Sequence, residues 1–530
     1  MDDHGGLRGA VVTEVLDRTA WRARAGERTV VVAKTAVLLV ALLAVSLFLR
    51  TRALDAGYWI DEGLSVGIAQ FPLSEIPGAL RQDGSPPLYY MLLHLWIDWF
   101  GAGEQATHAF SLLFALATIP VALWAGWSLF GRRAGWVAAT LAALNPFLTV
   151  YAQETRMYSL VILLSLVLTA AFLHAFAFRR RAYLPVFAAS SALLLYTHNW
   201  AIFLLVGSLA GLVAIERLVG DRRALARDAA LAYGAAAIAY LPWLPTLVYQ
   251  AFNTGAPWSK APSPVELVGG FGIVLAGQGA LVAILLAGGI GLRELLTGDR
   301  SPARTAVVAA LVLALATLAT GWVFSQFTPA WANRYLGVLI GPTILVAAAC
   351  LPRAGRLGAV ALALVVIFWV PFTASSNKSN PDRLAELFAA TIEPGDVILS
   401  THPEQVPVLA HYFGREHAYA TPLGPVPDTR VMDWRNALER LEAASPETTL
   451  DPLVAGLEPG ARIVLVRPVF ENDAQWTAEW TKLVRTRSEQ WTTALAADHR
   501  LTRTREYVPP YTDASRQTLA MEFFEKAPTG

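Results

Sequence analysis

Apolar residues run through most of the first 375 positions in long blocks that are separated by short polar gaps. Each block is close to the roughly 20 residues that a helix needs to cross the hydrocarbon core of a membrane. The pattern therefore predicts a polytopic α-helical membrane protein with about eleven transmembrane helices. The predicted spans cover about residues 30–49, 107–130, 134–150, 157–178, 182–198, 199–216, 229–249, 265–292, 305–325, 333–351 and 357–373.

The polar gaps fall into two alternating classes. Short loops rich in arginine stay in the cytoplasm during insertion, so the arginine-rich gaps indicate the cytoplasmic side. An odd number of spans then predicts a cytoplasmic N-terminus and an extracytoplasmic C-terminal segment. The arginines of these gaps are Arg132, Arg133, Arg179, Arg180, Arg181, Arg217, Arg222, Arg223, Arg227, Arg293, Arg300, Arg304, Arg353 and Arg356. The opposite gaps, on the outer face of the cell membrane, contain Asp61, Glu62, Glu154, Arg156, His198 and Arg334.

The composition of the sequence changes toward the two ends of the chain. Residues 1–33 form a polar, basic tail, and the run that follows ends in Phe48, Leu49 and Arg50 rather than in small residues, which predicts an uncleaved first span. Residues 34–375 form the transmembrane domain, with a long outer loop at 50–106. After a polar linker, residues 376–530 read as a soluble α/β domain.

Within the C-terminal domain, the pattern predicts helices at 382–391 and 403–413 and strands at 396–400 and 462–466. A tryptophan-rich stretch at 476–491 reads as an amphipathic helix. It either packs on its own domain or rests on the membrane surface.

Composition agrees with a membrane protein. The chain is 55% hydrophobic and only 16% charged, and its mean hydropathy of +0.44 excludes an ordinary soluble globule. The formal net charge is only +1 and the arginines are spread over many loops, so nothing in the sequence indicates a basic face for nucleic acid. Cys350 is the single cysteine, which excludes an internal disulfide and a thiolate metal cage.

The first outer loop carries two adjacent carboxylates, Asp61 and Glu62, directly after Tyr58, Trp59 and Ile60. A carboxylate that is partly buried at the membrane surface can act as a general base. The same pair can also cap the helix that begins near it. Residue types alone leave both interpretations open.

A short helix is predicted at 88–100 of the same loop, after Pro86 and Pro87. Its length suits an interfacial position rather than a span. Tyr90, His94 and Asp98 recur at four-residue spacing and share one polar edge. That edge is either solvated, packed on a loop, or part of a substrate site.

Two arginines mark later outer loops. Arg156 lies near Glu154, so the two can form an ion pair or Arg156 can hold an anion. Arg334 lies at the same predicted depth, beside Tyr335. Two guanidinium groups at one interface suit a lipid phosphate, which they can grip through paired hydrogen bonds. His198, in a tight outer turn, is either an interfacial hydrogen-bonding residue or a proton carrier.

These residues follow one another in an order that resembles the GT-C class of membrane glycosyltransferases, in particular the family 39 group related to dolichyl-phosphate-mannose protein mannosyltransferases and bacterial aminoarabinose transferases. The resemblance covers about residues 50–375. The matching segments are Asp61-Glu62, Ser85 to Tyr90 with His94-Leu95-Trp96, Gln153 to Tyr158, Tyr196 to His198, Pro242 to Pro245 and Arg334-Tyr335.

The resemblance implies transfer of a sugar from a polyprenyl-phosphate donor to an acceptor hydroxyl outside the cytoplasm, with inversion. Asp61 would activate the acceptor, with Glu62 supporting it. Arg156, Arg334 and Tyr335 would bind the donor phosphate. The acceptor is a glycan, a lipid or a protein. Candidate substrate-binding residues are Glu154, Tyr158, Tyr90, His94 and His198.

The chain departs from this family at two positions, where relatives often have histidine in place of Ser85 and arginine in place of His108. Both departures bear on phosphate and acceptor contacts. The reaction itself needs no cofactor, because a carboxylate takes the nucleophile's proton and the phosphate leaves as a stable anion. A divalent cation at Asp61, Glu62 and Glu154 is possible, since clustered carboxylates suit hard cations.

Two other functions remain open from the sequence. A transporter or lipid-linked sugar flippase would place ionisable residues within its spans, whereas here they gather at one face and His174 is a rare exception. A non-catalytic sensor would use its outer domain to bind a ligand, with the loop acids only capping helices.

Overall fold

A computed structural model describes residues 32–274, 277–470, 476–510 and 517–527. The predicted N-terminal tail, residues 1–33, thus lies almost entirely outside the described residues. In the described residues up to Trp369, seventeen α-helices form the membrane part and the loops between its spans. They are α1 Val32–Leu49, α2 Ile60–Ala69, α3 Ile76–Asp83, α4 Leu88–Phe100, α5 Glu104–Phe130, α6 Arg132–Leu144, α7 Pro146–Tyr151, α8 Tyr158–Phe172, α9 Leu184–Leu195, α10 Ala201–Val219, α11 Arg222–Tyr240, α12 Leu244–Asn253, α13 Pro264–Val274, α14 Gln278–Thr297, α15 Pro302–Phe327, α16 Ile340–Cys350 and α17 Gly355–Trp369.

Seven helical stretches within the described residues are long and apolar enough to cross a membrane, or eight if α11 and α12, bent by 70° at their junction, count as one span. The polytopic helical architecture is therefore confirmed, whereas the number of eleven spans stays a prediction. Several predicted spans are built from shorter pieces. The run predicted at 265–292 consists of two helices, α13 and α14, and the run predicted at 333–351 consists of a 3-10 helix, Asn333–Leu339, followed by α16.

Buried side chains join the membrane helices into one apolar core. Small residues allow close contact, as at Gly341, where a Cβ would lie 2.6 Å from the backbone nitrogen of Leu166. Arg50, at the end of α1, is fully buried and donates to the carbonyls of Ala115 and Ala142 at 3.0 and 2.6 Å. This arginine ties the first helix to α5 and α6, because a buried guanidinium needs acceptors for its N–H groups.

The C-terminal part is an α/β domain, as predicted. Its sheet has six strands in the order β3-β2-β1-β4-β6-β5, in which β2, β1 and β4 are parallel and β3, β6 and β5 are antiparallel to their neighbours. The strands are β1 Val397–Ser400, β2 Ala418–Thr421, β3 Gly424–Pro425, β4 Arg462–Pro468, β5 Leu501–Tyr507 and β6 Leu519–Lys526, and the helices are α18 Pro381–Phe388, α19 Val406–Phe413, α20 Ala437–Ala443, α21 Pro446–Gly456 and α22 Glu479–Ala497.

The central strands are buried on both faces, which is typical of parallel strands. Ile398 of β1 packs with α18 and α19 on one face, and Leu399 packs with α21 and α22 on the other. The tryptophan-rich stretch forms α22, and its Trp480 and Trp491 are fully buried. Of the two alternatives, packing within the protein is therefore correct.

The C-terminal domain rests on α2, the helix that begins at the two carboxylates. Helix α19 packs along α2, and an apolar cluster unites Trp59 and Ile60 with Trp434 and Trp480. The loop that contains α2 and the C-terminal domain thus share a core. This packing places the start of α2 between the membrane helices and the sheet.

Candidate active site

The structure brings Asp61 together with Arg156 and Arg334, and the three residues come from separate segments of the chain. One Asp61 carboxylate oxygen, Oδ2, lies 3.8 Å from Arg156 Nε and 3.5 Å from Arg334 Nη2. Arg156 also donates from Nη1 to the Asp61 carbonyl at 3.1 Å and to Ser65 at 2.9 Å. All three charged side chains are largely buried, with exposures of 13%, 11% and 21%. An anion that reaches this point meets two guanidinium groups with little water between them.

The hydrogen bonds of this group are incomplete within the described residues. Asp61 Oδ2, Arg156 Nε and Arg334 Nε are buried and have no hydrogen-bond partner there. Buried polar atoms usually have one, and exceptions point to strain or to a ligand. The arrangement therefore suits a polar or anionic ligand that supplies acceptors to the arginines.

Aromatic rings surround the two arginines. The Arg334 guanidinium lies 5.1 Å from the Trp258 ring and 5.6 Å from the Tyr335 ring, and Arg156 lies 5.9 Å from the Tyr158 ring. Such rings hold cations through their faces and exclude water. They give the site apolar walls around a positively charged centre.

His198 lies in the turn between α9 and α10 and packs against the same aromatic rings. Its ring packs edge-on against Tyr335 at 4.7 Å and lies 5.8 Å from Tyr158. Burial, followed by the charges of Arg156 and Arg334, lowers the pKa of His198 to about 3. A neutral imidazole, whose Nδ1 accepts from the Trp200 N–H at 3.1 Å, suits packing and hydrogen bonding rather than proton transfer.

Glu62 points away from Asp61, into a fully buried cluster. Its Oε2 accepts from Lys378 at 2.7 Å, and its Oε1 accepts from the Thr155 N–H at 2.7 Å and from His108 Nε2 at 2.6 Å. The other ring nitrogen of His108 donates to the Leu54 carbonyl at 2.7 Å. His108 Nε2 also lies 3.3 Å from Lys378 Nζ, so the imidazole, the ammonium and the carboxylate form one compact buried cluster.

Burial by itself would raise the pKa of Glu62, but Lys378 and His108 outweigh it and hold that pKa well below its usual range. Glu62 is therefore ionised and fully enclosed. This location suits the supporting role that was predicted for it and leaves Asp61 as the carboxylate that a substrate can reach. Glu62 also meets part of the capping alternative, because its Oε2 lies 3.5 Å from the Trp59 N–H.

Of the other predicted substrate-binding residues, Glu154 and Tyr90 lie close to this group of charges, whereas His94 does not. Glu154 lines a cavity of about 400 Å³ beside the site, whose wall also includes Phe147, Asn333 and Lys378. Tyr90 is buried. Burial raises its pKa, and the charge of Arg156, which lies within electrostatic range, opposes that rise.

His94 is not brought to the site. Its Nδ1 lies 2.8 Å from the carbonyl of Ala69, at the end of α2, and its Nε2 lies 3.5 Å from Asp98. His94, on this edge of α4, thus contacts the end of α2 rather than a loop. A substrate contact for His94 has no support in this geometry.

The described residues contain no set of ligands for the divalent cation that the sequence allowed. Asp61 and Glu62 face different partners, because Asp61 lies beside the arginines and Glu62 contacts Lys378 and His108. Across the described ranges, no three His, Cys, Asp or Glu side chains gather closely enough to hold a metal ion.

Sequence reasoning missed three residues of this region. Lys378 was read as part of a polar linker, and His108 only as a departure from the family pattern. Asp83, at the end of α3, has its pKa raised by burial, while Ser85 and Arg156 oppose the rise. The one signal for His108 was its replacement of a customary arginine, and a single lysine in a linker gives no signal at all.

Comparison of the sequence with protein-family models and with curated proteins found no match. Comparison of the structure with solved structures found several. ArnT from Cupriavidus metallidurans in the apo state is 15% identical, with a TM-score of 0.61 over 93% of this chain and 98% of ArnT. The Archaeoglobus fulgidus oligosaccharyltransferase, in complex with zinc and sulfate, is 15% identical, with a TM-score of 0.53 over 91% of this chain and 73% of its own.

Arabinofuranosyltransferase AftD from Mycobacteria is also similar, at 16% identity and a TM-score of 0.51 over 93% of this chain and 40% of AftD. All three are membrane glycosyltransferases of the GT-C class. The chain therefore has the GT-C fold, with its C-terminal domain included in the match. The fold that the sequence motifs implied is confirmed.

Proposed function

We propose that this protein transfers a sugar from a polyprenyl-phosphate donor to an acceptor hydroxyl on the outer face of the membrane. The observation that carries the proposal is the convergence of Asp61, Arg156 and Arg334 in a buried, aromatic-walled site with incomplete hydrogen bonds. Among proteins of the same fold, ArnT has been solved with undecaprenyl phosphate and the archaeal oligosaccharyltransferase AglB with dolichol-phosphate. Lipid phosphates of this kind fit two guanidinium groups at a membrane surface.

The donor phosphate would bind Arg156 and Arg334. Both arginines now face the Asp61 carboxylate, so a phosphate that takes over their N–H groups frees this carboxylate for the acceptor. The carboxylate then removes the proton from the acceptor hydroxyl, whose oxygen attacks the anomeric carbon. The bond from that carbon to the phosphate oxygen breaks on the opposite face, which inverts the configuration.

The leaving phosphate keeps the electron pair of the broken bond as an anion. It needs fixed positive charge rather than a proton donor, and the two arginines supply it with little reorganisation. The Tyr335 ring packs against the Arg334 guanidinium, and the Tyr158 ring packs against that of Arg156. The cavity beside Glu154 would take the lipid-linked part of the donor, because polar Asn333 and apolar Phe147 and Ile273 are among the residues that line it.

The test compares envelope glycans and glycolipids by mass spectrometry in cells that lack the gene and carry wild type, Asp61→Asn or Asp55→Asn. Asp55 is a matched control, since it lies in the same loop but is exposed. Wild type and Asp55→Asn should add a sugar mass, and Asp61→Asn should reduce its formation about 10²- to 10⁴-fold, the usual contribution of a general base. Wild-type transfer by Asp61→Asn, or no added sugar in wild type, would overturn the proposal.

A further inference from the structure

The segment that connects the membrane helices to the C-terminal domain is fixed at both ends. Lys378 lies in this connection and is 4% exposed. Its Nζ donates to Glu62 Oε2 at 2.7 Å and to the Gln153 carbonyl at 3.0 Å. A residue from far along the chain, 316 positions away, thus reaches the carboxylate next to Asp61.

The two residues after Lys378 are hydrogen-bonded to β6 and to Gln517, which lies just before it. Ser379 donates to the Gln517 carbonyl at 2.7 Å. The Asn380 side chain donates to the Leu519 carbonyl at 3.0 Å and accepts from the Leu519 N–H at 2.7 Å. Lys378 is therefore held by the C-terminal domain and is not a side chain on a free tether.

The same domain contacts the catalytic segment, residues 57–67, at several further points. The Tyr58 N–H donates to the Tyr412 hydroxyl at 2.7 Å. Cβ atoms added at Gly63 and Gly67 would lie 2.5 Å from Val408 Cβ and 2.3 Å from the Arg430 carbonyl oxygen. The backbone of this segment is therefore pressed against the C-terminal domain along its length.

We propose that Lys378 is a positioning residue for Asp61, through which the C-terminal domain holds the catalytic segment in its working geometry. This inference rests on the proposed function for its catalytic consequence. Lys378 holds the Glu62 side chain through its hydrogen bond, and Glu62 in turn holds the first turn of α2. The orientation of that turn sets the direction in which the side chain of the neighbouring Asp61 points. A displacement of about 1 Å in such a group can reduce turnover about 100-fold.

The opposite charges of Lys378 and Glu62 explain why these two buried residues act as a unit. Removal of Lys378 takes the ammonium partner away from the buried Glu62 carboxylate, and removal of the Glu62 charge leaves the buried Lys378 ammonium without its carboxylate. Each single change therefore costs more than the loss of one contact, because it leaves a buried charge without its partner. Removal of both charges avoids that penalty.

The experiment uses the full-length protein with Lys378→Met, Lys378→Arg, Glu62→Gln and the double variant Glu62→Gln/Lys378→Met. Lys482→Met, an exposed lysine of α22, is the matched control. Three properties are measured: sugar transfer in the envelope assay, binding of undecaprenyl phosphate to the detergent-purified protein by native mass spectrometry, and thermal unfolding.

We expect Lys378→Met to lower transfer about 100-fold while undecaprenyl phosphate binding changes less than about twofold, and Lys378→Arg to restore part of the transfer. The double variant should transfer no worse than Glu62→Gln and unfold at a higher temperature than the two single losses would give by addition. Lys482→Met should match wild type.

Three results would overturn the positioning role: near wild-type transfer by Lys378→Met, a loss of undecaprenyl phosphate binding that accounts for its whole defect, or losses in transfer and unfolding that simply add. The unfolding cycle does not depend on any activity. A wild-type protein without transfer would therefore refute the proposed function, whereas additive unfolding would refute the coupling of Lys378 to Glu62.

Discussion

Single residues at the site show how neighbouring positions in the chain take on different tasks. Asp61 and Glu62 are adjacent, yet one faces two arginines in a partly accessible site and the other is enclosed by Lys378 and His108. Helix geometry explains the difference, because successive residues on a helix point about 100° apart. The first turn of α2 therefore presents one carboxylate to the substrate side and one to the interior.

His198 gives a prediction on pH. Its pKa is about 3 in the folded protein, mainly because of burial, and its ordinary value is 6.5. The unfolded chain therefore takes up a proton below pH 6.5 that the folded protein does not, so stability from this residue is complete above pH 6.5 and is lost as pH falls toward 3.

Between pH 6.5 and 5 the loss should approach about 2 kcal/mol. Thermal unfolding of the detergent-purified protein at pH 7.5 and 5.0 should show a smaller acid effect in His198→Gln than in wild type. An equal acid effect in both proteins would mean that His198 is protonated in the fold.

Part of the residue-scale picture could be predicted from the sequence. Asp61, Arg156 and Arg334 carry signals because charges at the ends of apolar runs are costly and need a partner. Lys378 carries none, since a lysine in a polar linker has the same local pattern whether it is solvated or buried. Its partner is recognisable only when residues far apart in the chain come together.

Helix α2 shows at the element scale how glycine permits two parts of the molecule to meet. Gly63 and Gly67 lie one turn apart and face α19 and the Arg430 backbone. With no side chain, they let the backbones approach closely, and any Cβ would require the C-terminal domain to move. The spacing of these glycines is visible in the sequence, but the element they face is not.

We predict that Gly67→Ala destabilises the protein by about 1–3 kcal/mol, the usual cost of overpacking, and lowers transfer because Asp61 shares this helix. Gly78→Ala is the matched control, since an added Cβ at this helical position meets nothing within 4 Å. It should leave stability unchanged or raise it by up to about 1 kcal/mol. Equal unfolding temperatures for the two variants would show that α2 does not pack tightly on the C-terminal domain.

Element boundaries were predictable where one local signal dominated. Helix α4 was expected at 88–100 and is found at Leu88–Phe100, because two prolines precede it and Gly101 follows it. The single span expected at 265–292 divides into α13 and α14, although the run is mostly apolar. Hydrophobicity gives the length of an apolar run but not where the run bends.

At the scale of the whole molecule, the membrane orientation remains a prediction that rests on the arginine-rich loops. Cysteine labelling in intact cells tests it, in a Cys350→Ser background that removes the natural thiol. Lys260→Cys, in an outer loop, should react with a membrane-impermeant maleimide, and Asp299→Cys, in an arginine-rich loop, should react only after the cells are opened. Both positions are exposed, so the difference reports the side of the membrane. The reverse labelling pattern would invert the topology.

The sequence by itself determined the class of this protein. Long apolar runs, charges confined to the gaps and an ordered set of outer-loop motifs indicate a polytopic membrane protein with chemistry at one face, because the cost of burying charge in hydrocarbon acts on every position separately. Tertiary structure alone decided that Glu62 is sealed by Lys378, that the C-terminal domain holds α2, and that Arg156 turns to Asp61. Those outcomes depend on contacts between segments up to hundreds of residues apart, and no local pattern encodes which segments will meet.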